Sequence, residues 1–146
     1  MQLFVVYVGG KMPTSLIELH DIHFAIGETI EETYDQLREQ WWGVPQSLHL
    51  DAWGALRYVD GYAIELKKSP PPALNKKLYF VNLGGYDAEQ FTELHRNLFV
   101  MADDPAEAKK LALAKAAVSD WQVPHRDYLL EVENCVNLQT HLSAKG

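Results

Sequence analysis

The sequence predicts an α+β fold built from two similar units, and the prediction depends on three observations. An apolar run that ends in two glycines, LFVVYVGG at 3–10, recurs as LYFVNLGG at 78–85. A Glu-Leu-His triplet follows each run, at 18–20 and at 93–95, so run and triplet both recur 75 residues further on (from 3 to 78 and from 18 to 93). A helix-like stretch follows each triplet. Self-similarity at one fixed spacing indicates an internal duplication.

Each unit is expected to run strand, strand, helix, strand, strand. The first strand is the apolar run itself, because continuous apolarity is typical of a strand covered on both faces. The second strand spans about 17–26 in the first unit. A unit of about 65 residues buries little core alone. We therefore expect two tandem pseudo-symmetric repeats packed as one compact body, with repeat 1 at 1–68, a Pro-rich linker at 69–77 and repeat 2 at 78–146.

Capping residues predict where the two helices begin. Thr29 with Glu32 three residues later has the pattern of a capping box. In the second copy Asp104 precedes Pro105, and proline is favoured at the first helical position. Apolar residues then recur at helical spacing in the first copy, which predicts one stripe against a sheet: Ile30, Tyr34, Leu37 and Trp41.

A hairpin is expected to close each unit. In the first copy Asp60-Gly61 is a two-residue turn signal between a strand at 48–53 and a strand that returns from Tyr62. In the second copy the turn falls at Asn134, and 136–142 corresponds to the returning strand.

Charge and cysteine content argue against several classes of protein. Thirteen basic and twenty acidic side chains give a formal net charge of −7, which opposes binding to nucleic acid or anionic lipid. The lone Cys135 cannot form an internal disulfide or a paired-thiolate zinc site, and a buried side chain is expected there. No apolar segment approaches the roughly 20 residues that span a bilayer. A cytoplasmic protein with no nucleic-acid or membrane partner is therefore expected.

Several segments resemble the bacterial domain of unknown function numbered 1543. They are LFVVYVGG, IELHDIHF, the predicted helix that ends in QWWG, and LHLDAWGALRYVDGY. The resemblance covers most of residues 2–66 and, more weakly, 78–142. That family is described as carrying one or two copies of a short domain. The resemblance implies no activity and supplies no functional residues.

The repeated Glu-Leu-His triplet is the strongest candidate for chemistry. Residues i and i+2 share one face of a strand, so each Glu lies beside its own His. A pseudo-twofold axis could bring the two pairs together as a site for a divalent transition metal: Glu18, His20, Glu93 and His95. The alternative is structural, with each Glu bonded to its own His or to the loop after the glycines. No ligand spacing such as HExxH is present.

Other polar residues near the first triplet leave further alternatives open. Asp21 and His23 share the opposite face of the predicted strand, and His49 with Asp51 lies further along the chain. The second copy carries Arg96 where the first has Asp21, so a site that used these residues would be asymmetric. Ordinary ion pairs are the simpler interpretation.

The glycine pairs and the tryptophans also have two interpretations. The pairs at 9–10 and 84–85 follow strands, as phosphate loops do, but neither GxGxxG nor GxxxxGK[ST] is present. Glycine there is more simply explained by close packing against the backbone or by a positive φ. Trp42 is placed beside the apolar stripe, where it could mark a contact with another protein.

These observations favour a small binding or interaction module without catalysis, which could form a homodimer. The alternative function is a small metal-dependent enzyme with its Glu/His site at the interface of the repeats. A third is a module that binds a small molecule in the groove between the repeats. A divalent metal is the one cofactor that the residues suggest.

Overall fold

The computed structural model of the chain describes residues 1–68, 76–118 and 131–143. The described chain divides into two compact units. The first comprises Met1–Tyr58 and resumes at Ala63. The second comprises Val59–Tyr62 and the described residues from 76 onward. Most of the predicted linker lies outside the described residues.

The first unit contains a three-stranded antiparallel sheet. Its central strand is β1 (Gln2–Gly10), which pairs with β2 (Leu19–Gly27) on one edge and with β3 (His49–Ala55) on the other. The strand predicted from the first apolar run is thus confirmed. Phe4, Val6 and Val8 are buried on one of its faces, whereas on the opposite face Tyr7 is exposed, so the covering expected on both faces is incomplete.

A short helical segment connects β2 to β3. It begins with a 3₁₀ turn at Glu31–Thr33 and continues as α1 (Tyr34–Gln40). The predicted capping box pairs Glu32 with Thr29, and this prediction is wrong by one residue. The Glu32 carboxylate accepts the backbone N–H of Glu28 (2.8 Å). A second 3₁₀ turn, Pro45–Ser47, leads into β3.

The core of the first unit lies between α1 and one face of the sheet. Three of the four residues of the predicted helical stripe are buried there, whereas Tyr34 is exposed. Burial of each large apolar side chain contributes about 1.5–3 kcal/mol. The buried cluster consists of Phe4, Val6, Val8, Ala25, Ile30, Leu37 and Trp41.

The Trp41 indole lies against two glycines. A Cβ on Gly10 would overlap the indole Cζ2, and a Cβ on Gly43 would lie 2.6 Å from the same atom. The indole Nε1 donates to the Val44 carbonyl (3.0 Å), and the Val44 N–H donates to the Lys11 carbonyl (2.8 Å). Trp41 therefore fixes the end of β1 against the segment that leads into β3.

A two-residue turn follows β3, as the sequence predicts. Asp60 and Gly61 have φ values of 51° and 81°, which suit a hairpin turn, and they separate β4 (Tyr58–Val59) from β5 (Tyr62–Ala63). The prediction that β3 pairs with the returning strand is wrong. β3 ends at Ala55 and forms its ladder with β1.

The second unit contains another three-stranded antiparallel sheet. Its central strand is β6 (Lys77–Asp87), flanked by β7 (Thr92–Ala102) and β8 (Glu131–Asn137). The buried cluster of this unit combines strand residues with the alanines of the helix between β7 and β8, at 108, 112 and 116. These small side chains allow the helix backbone to approach the sheet closely.

That helix, α2 (Pro105–Val118), begins where the sequence predicts. The Glu107 N–H donates to the Asp104 carboxylate (2.8 Å), so Asp104 is a true N-cap. In the part of the chain that the structure describes, no helix is long and apolar enough to cross a membrane.

The second unit ends in a helix where the sequence predicts a strand. β8 passes through Asn134 without a turn, and α3 (Leu138–Ser143) follows it directly. The Asn137 side-chain oxygen accepts the N–H of Thr140 (3.2 Å), which caps the first turn of α3. Asn137 therefore ends the strand and begins the helix.

We expect Gly10→Ala to lower the free energy of unfolding by about 1–3 kcal/mol, because the added Cβ would overlap the buried Trp41 indole. Gly54→Ala in β3 is the matched control, since a Cβ there meets nothing within 4 Å. Urea denaturation followed by circular dichroism measures both variants. Equal stability of the two would contradict the packing described for Trp41.

Candidate metal centre

The register of the first sheet brings two histidines to the same glycine. Gly9 in β1 lies directly opposite His20 in β2 and directly opposite His49 in β3. Residues opposite each other in a sheet point to the same face. The two imidazoles therefore flank Gly9 from its two sides. Glu18 lies two residues before His20, immediately before β2 begins.

A β-bulge adds a fourth polar residue. Val8 pairs with Leu50 and the preceding residue, Tyr7, pairs with Ala52, so Asp51 is the extra residue in the ladder. Bulges change the direction of side chains and are frequent beside functional sites. Asp51 shares the face of His49 because the two are i and i+2, and the bulge leaves it unpaired beside Gly9.

Four side chains meet above Gly9, and we call them the unit-1 cluster: Glu18, His20, His49 and Asp51. His20 Nε2 lies 3.2 Å from Glu18 Oε2 and 3.2 Å from Asp51 Oδ2. His49 Nε2 lies 2.6 Å from Glu18 Oε1 and 3.3 Å from Asp51 Oδ1. Each carboxylate therefore contacts both imidazoles.

The donor atoms of the cluster are spaced as metal ligands require. Glu18, His20 and Asp51 each offer one donor atom, and these atoms lie within 4.8 Å of one another. The side chains of the cluster are between 33% (Asp51) and 46% (His49) exposed. Ions in solution can therefore reach the donors directly. Imidazole nitrogen with carboxylate oxygen is a donor set that suits zinc and neighbouring transition metals.

Gly9 forms the floor of the cluster. A Cβ at this position would lie 2.7 Å from Asp51 Oδ2, 2.8 Å from His49 Nε2 and 3.1 Å from Glu18 Oε1. Among the described residues, Gly61 is the glycine with a positive φ. Close approach to the backbone, which was one of the two interpretations from sequence, is thus confirmed at Gly9.

The surroundings of His49 favour its protonated form. Its Nδ1 lies 3.0 Å from the Ser47 carbonyl, and its Nε2 faces the two carboxylates. The Ser47 carbonyl, and then the negative charges of Glu18 and Asp51, raise the pKa of His49 above its usual value of 6.5. When His49 is protonated, both of its ring N–H groups face oxygen atoms, at Ser47 on one side and at the two carboxylates on the other.

The structure assigns the four residues predicted from the repeat to two separate units. Glu18 and His20 belong to the unit-1 cluster. In the second unit His95 Nε2 lies 3.5 Å from Glu93 Oε2. Each Glu thus contacts its own His, as the structural alternative expects. The union of both pairs into one metal site stays a prediction.

His49 and Asp51 are the cluster residues that the repeat did not identify as ligands. Their spacing places both on one face of a strand, and this was visible in the sequence. Their approach to Glu18 could not be read from the sequence, because it requires the pairing of β3 with β1 and the bulge at Asp51.

Asp21 and His23 form a separate contact on the opposite face of β2. His23 is buried, and its Nε2 lies 3.3 Å from Asp21 Oδ2, which also accepts the Trp42 indole N–H (3.0 Å). Burial on its own would raise the pKa of Asp21. The bonds from His23, Trp42 and the Ile22 N–H outweigh burial and hold that pKa below its usual value.

Two comparisons with known proteins bear on this fold. Residues 15–66 match the family model DUF1543, described as Domain of Unknown Function. The protein Il1583 from Idiomarina loihiensis, whose crystal structure is solved, is 45% identical, with 82% of this chain and 75% of that chain covered and a TM-score of 0.67. The chain belongs to the DUF1543 family. The match covers one copy of the domain, whereas the sequence of this DUF1543 protein predicts two. No curated protein matches it.

We expect the His49 imidazole of the ion-free protein to titrate above 6.5 in an NMR pH titration. Because the pKa is raised on folding, protonation of His49 stabilises the fold fully below the unfolded pKa. That contribution is lost as the pH rises through the folded pKa.

Glu18→Gln with Asp51→Asn should lower the pKa of His49 only in part, since the Ser47 carbonyl remains. Glu93→Gln in the second unit is the control and should leave it unchanged. A pKa of 6.5 or lower in the unsubstituted protein would show that the Ser47 carbonyl and the two carboxylates do not stabilise the protonated form of His49.

Proposed function

We propose that this protein binds a divalent transition metal ion at the unit-1 cluster. Glu18, His20 and Asp51 are the proposed ligands, and His49 lies at their edge. The observation that carries the proposal is the convergence of the carboxylate and imidazole donors on the space above Gly9. Zinc, manganese, cobalt and ferrous iron all accept such mixed nitrogen and oxygen ligands.

The charges of the cluster support the proposal. The carboxylates of Glu18 and Asp51 both contact His49, and protonation of His49 would place positive charge between them in the ion-free protein. A metal ion would supply that charge instead, and ligand protons are released when a metal binds. The site is thus prepared for a cation in a chain whose net charge is −7.

The exposure of the cluster favours one second function, that of a metal-dependent enzyme. Three protein ligands with an open position are typical of catalytic zinc sites, whereas structural sites are closed by four. The side chains of the cluster remain a third to a half exposed, so the side of the ion away from Gly9 would face solvent. Enhanced relaxation of water protons by bound Mn²⁺ would identify such an open position.

We also propose that the two units arose by duplication of one ancestral unit. Both sheets have the same order, with the strand that carries the Gly-Gly pair in the centre. Gly84 lies opposite His95, as Gly9 lies opposite His20. The β6–β8 ladder shifts between Asn82 and Leu83, which are 75 residues after the two residues of β1 at the Asp51 bulge. The shared bulge supports duplication more strongly than the repeated letters alone.

Single substitutions in each unit test the proposed metal site. We expect the unsubstituted protein to bind zinc in isothermal titration calorimetry, and His20→Ala to weaken binding by roughly a hundredfold or more, since even supporting residues contribute 10–100-fold. His95→Ala is the matched control in the second unit and should bind as the unsubstituted protein does. Loss of affinity in both variants would instead support a site that joins the two pairs.

Gly9→Ala tests the floor of the site without removing a ligand. The added Cβ would occupy the space between Asp51, His49 and Glu18, so we expect zinc binding to be lost. Gly54→Ala, in the neighbouring strand, should retain it. Circular dichroism of both variants checks the fold, and full zinc affinity in a folded Gly9→Ala variant would contradict the proposed position of the ion.

A further inference from the structure

Tyr7 contacts the unit-1 cluster through the ring of His20. It lies two residues before Gly9 in β1 and therefore points to the same face of the sheet. Its ring stacks flat on the His20 imidazole, with ring centroids 5.0 Å apart and an angle of 6° between the planes. Because Tyr7 pairs with Ile22 and Gly9 pairs with His20, the two stacked side chains are diagonal neighbours across two strands.

The orientation of the His20 ring decides whether it can act as a ligand. Its Nε2 is the atom that reaches both Glu18 and Asp51. The terminal torsion of a histidine side chain is broad, so the side chain alone does not fix the plane of its ring, and a tilted ring would aim Nε2 away from the carboxylates. A flat aromatic neighbour restricts that rotation, because turning the imidazole would drive its edge into the Tyr7 ring.

The two imidazoles of the cluster are oriented by different means. His49 is held by the Ser47 carbonyl at its Nδ1, which leaves Nε2 toward the cluster. His20 is held by the face of Tyr7. Groups that orient metal-ligating histidines commonly affect metal affinity by 10–100-fold.

We propose that Tyr7 is a positioning residue of the metal site, which holds the plane of the His20 ring and so keeps Nε2 aimed at the space between the two carboxylates. This inference rests on the proposed function, since it assigns a role at the same site. The tyrosine acts through its ring, and its hydroxyl is not needed for this role.

The second unit differs at the corresponding position. Residue 82, which is 75 positions after Tyr7, is Asn, and its side-chain amide donates to Asn97 (2.8 Å). An amide held in this way offers no aromatic face to a neighbouring histidine. The contrast supports the assignment of the metal to the first unit.

Cobalt titration of three proteins tests the role of Tyr7. Co²⁺ replaces zinc at such sites, and its visible absorption reports the number and geometry of its ligands. We expect Tyr7→Phe, which keeps the ring, to match the unsubstituted protein in affinity and spectrum. Tyr7→Leu should bind cobalt roughly tenfold more weakly and with an altered spectrum. Circular dichroism of each variant confirms the fold.

The outcomes separate this inference from the proposed function. If the unsubstituted protein binds no cobalt, both fail. If it binds cobalt, but a folded Tyr7→Leu variant shows the same affinity and spectrum, only the role of Tyr7 is overturned. Should Tyr7→Leu not fold, the ring-current shifts of the His20 ring protons in the unsubstituted protein decide. Shifts from the Tyr7 ring that persist in the zinc-loaded protein support the inference, and their loss on zinc binding overturns it.

Discussion

The absence of a Cβ at two adjacent residues at the end of β1 is the constraint on which the first unit depends. Neighbouring residues of a strand face opposite sides of the sheet. Gly9 accordingly lies beneath the unit-1 cluster, and Gly10 lies beneath the Trp41 indole. The strand end thus joins the hydrophobic core to the polar site. A side chain at Gly9 would fill the site, and one at Gly10 would displace the ring that anchors the neighbouring segment.

The core and the site are also connected through Ser47. Its hydroxyl accepts the N–H of Lys11 (2.8 Å) and donates to the Val44 carbonyl (2.6 Å), so it ties the end of β1 to the turn before β3. Its carbonyl, in turn, faces His49 Nδ1. A short series of hydrogen bonds therefore connects the Trp41 indole to the His49 ring. In metal sites, the residues around the ligands hold the ligand side chains in place, which distinguishes such a site from a simple cluster of ion pairs.

Local patterns in the sequence predict some of these features and do not predict others. The apolar run before Gly9, the Asp60-Gly61 turn and the Asp104 cap follow from residue types over a few positions, and the structure confirms each of them. The pairing of β3 with β1 does not follow from such patterns, because the partners lie about 45 residues apart and a bulge shifts their register. For the same reason, Glu18 and His20 could be recognised as a pair, whereas their contacts with His49 and Asp51 could not. The helix α3 was missed because Asn137 was matched to a strand and not recognised as a cap.

The proposed metal ion occupies the space above Gly9, between donors from both edges of one sheet. An anomalous difference map from crystals grown with zinc, collected on both sides of the zinc absorption edge, would locate such an ion. We expect a peak within about 2.0–2.2 Å of Glu18, His20 and Asp51 donor atoms. A map without a peak there, or with a peak only beside Glu93 and His95, would contradict it.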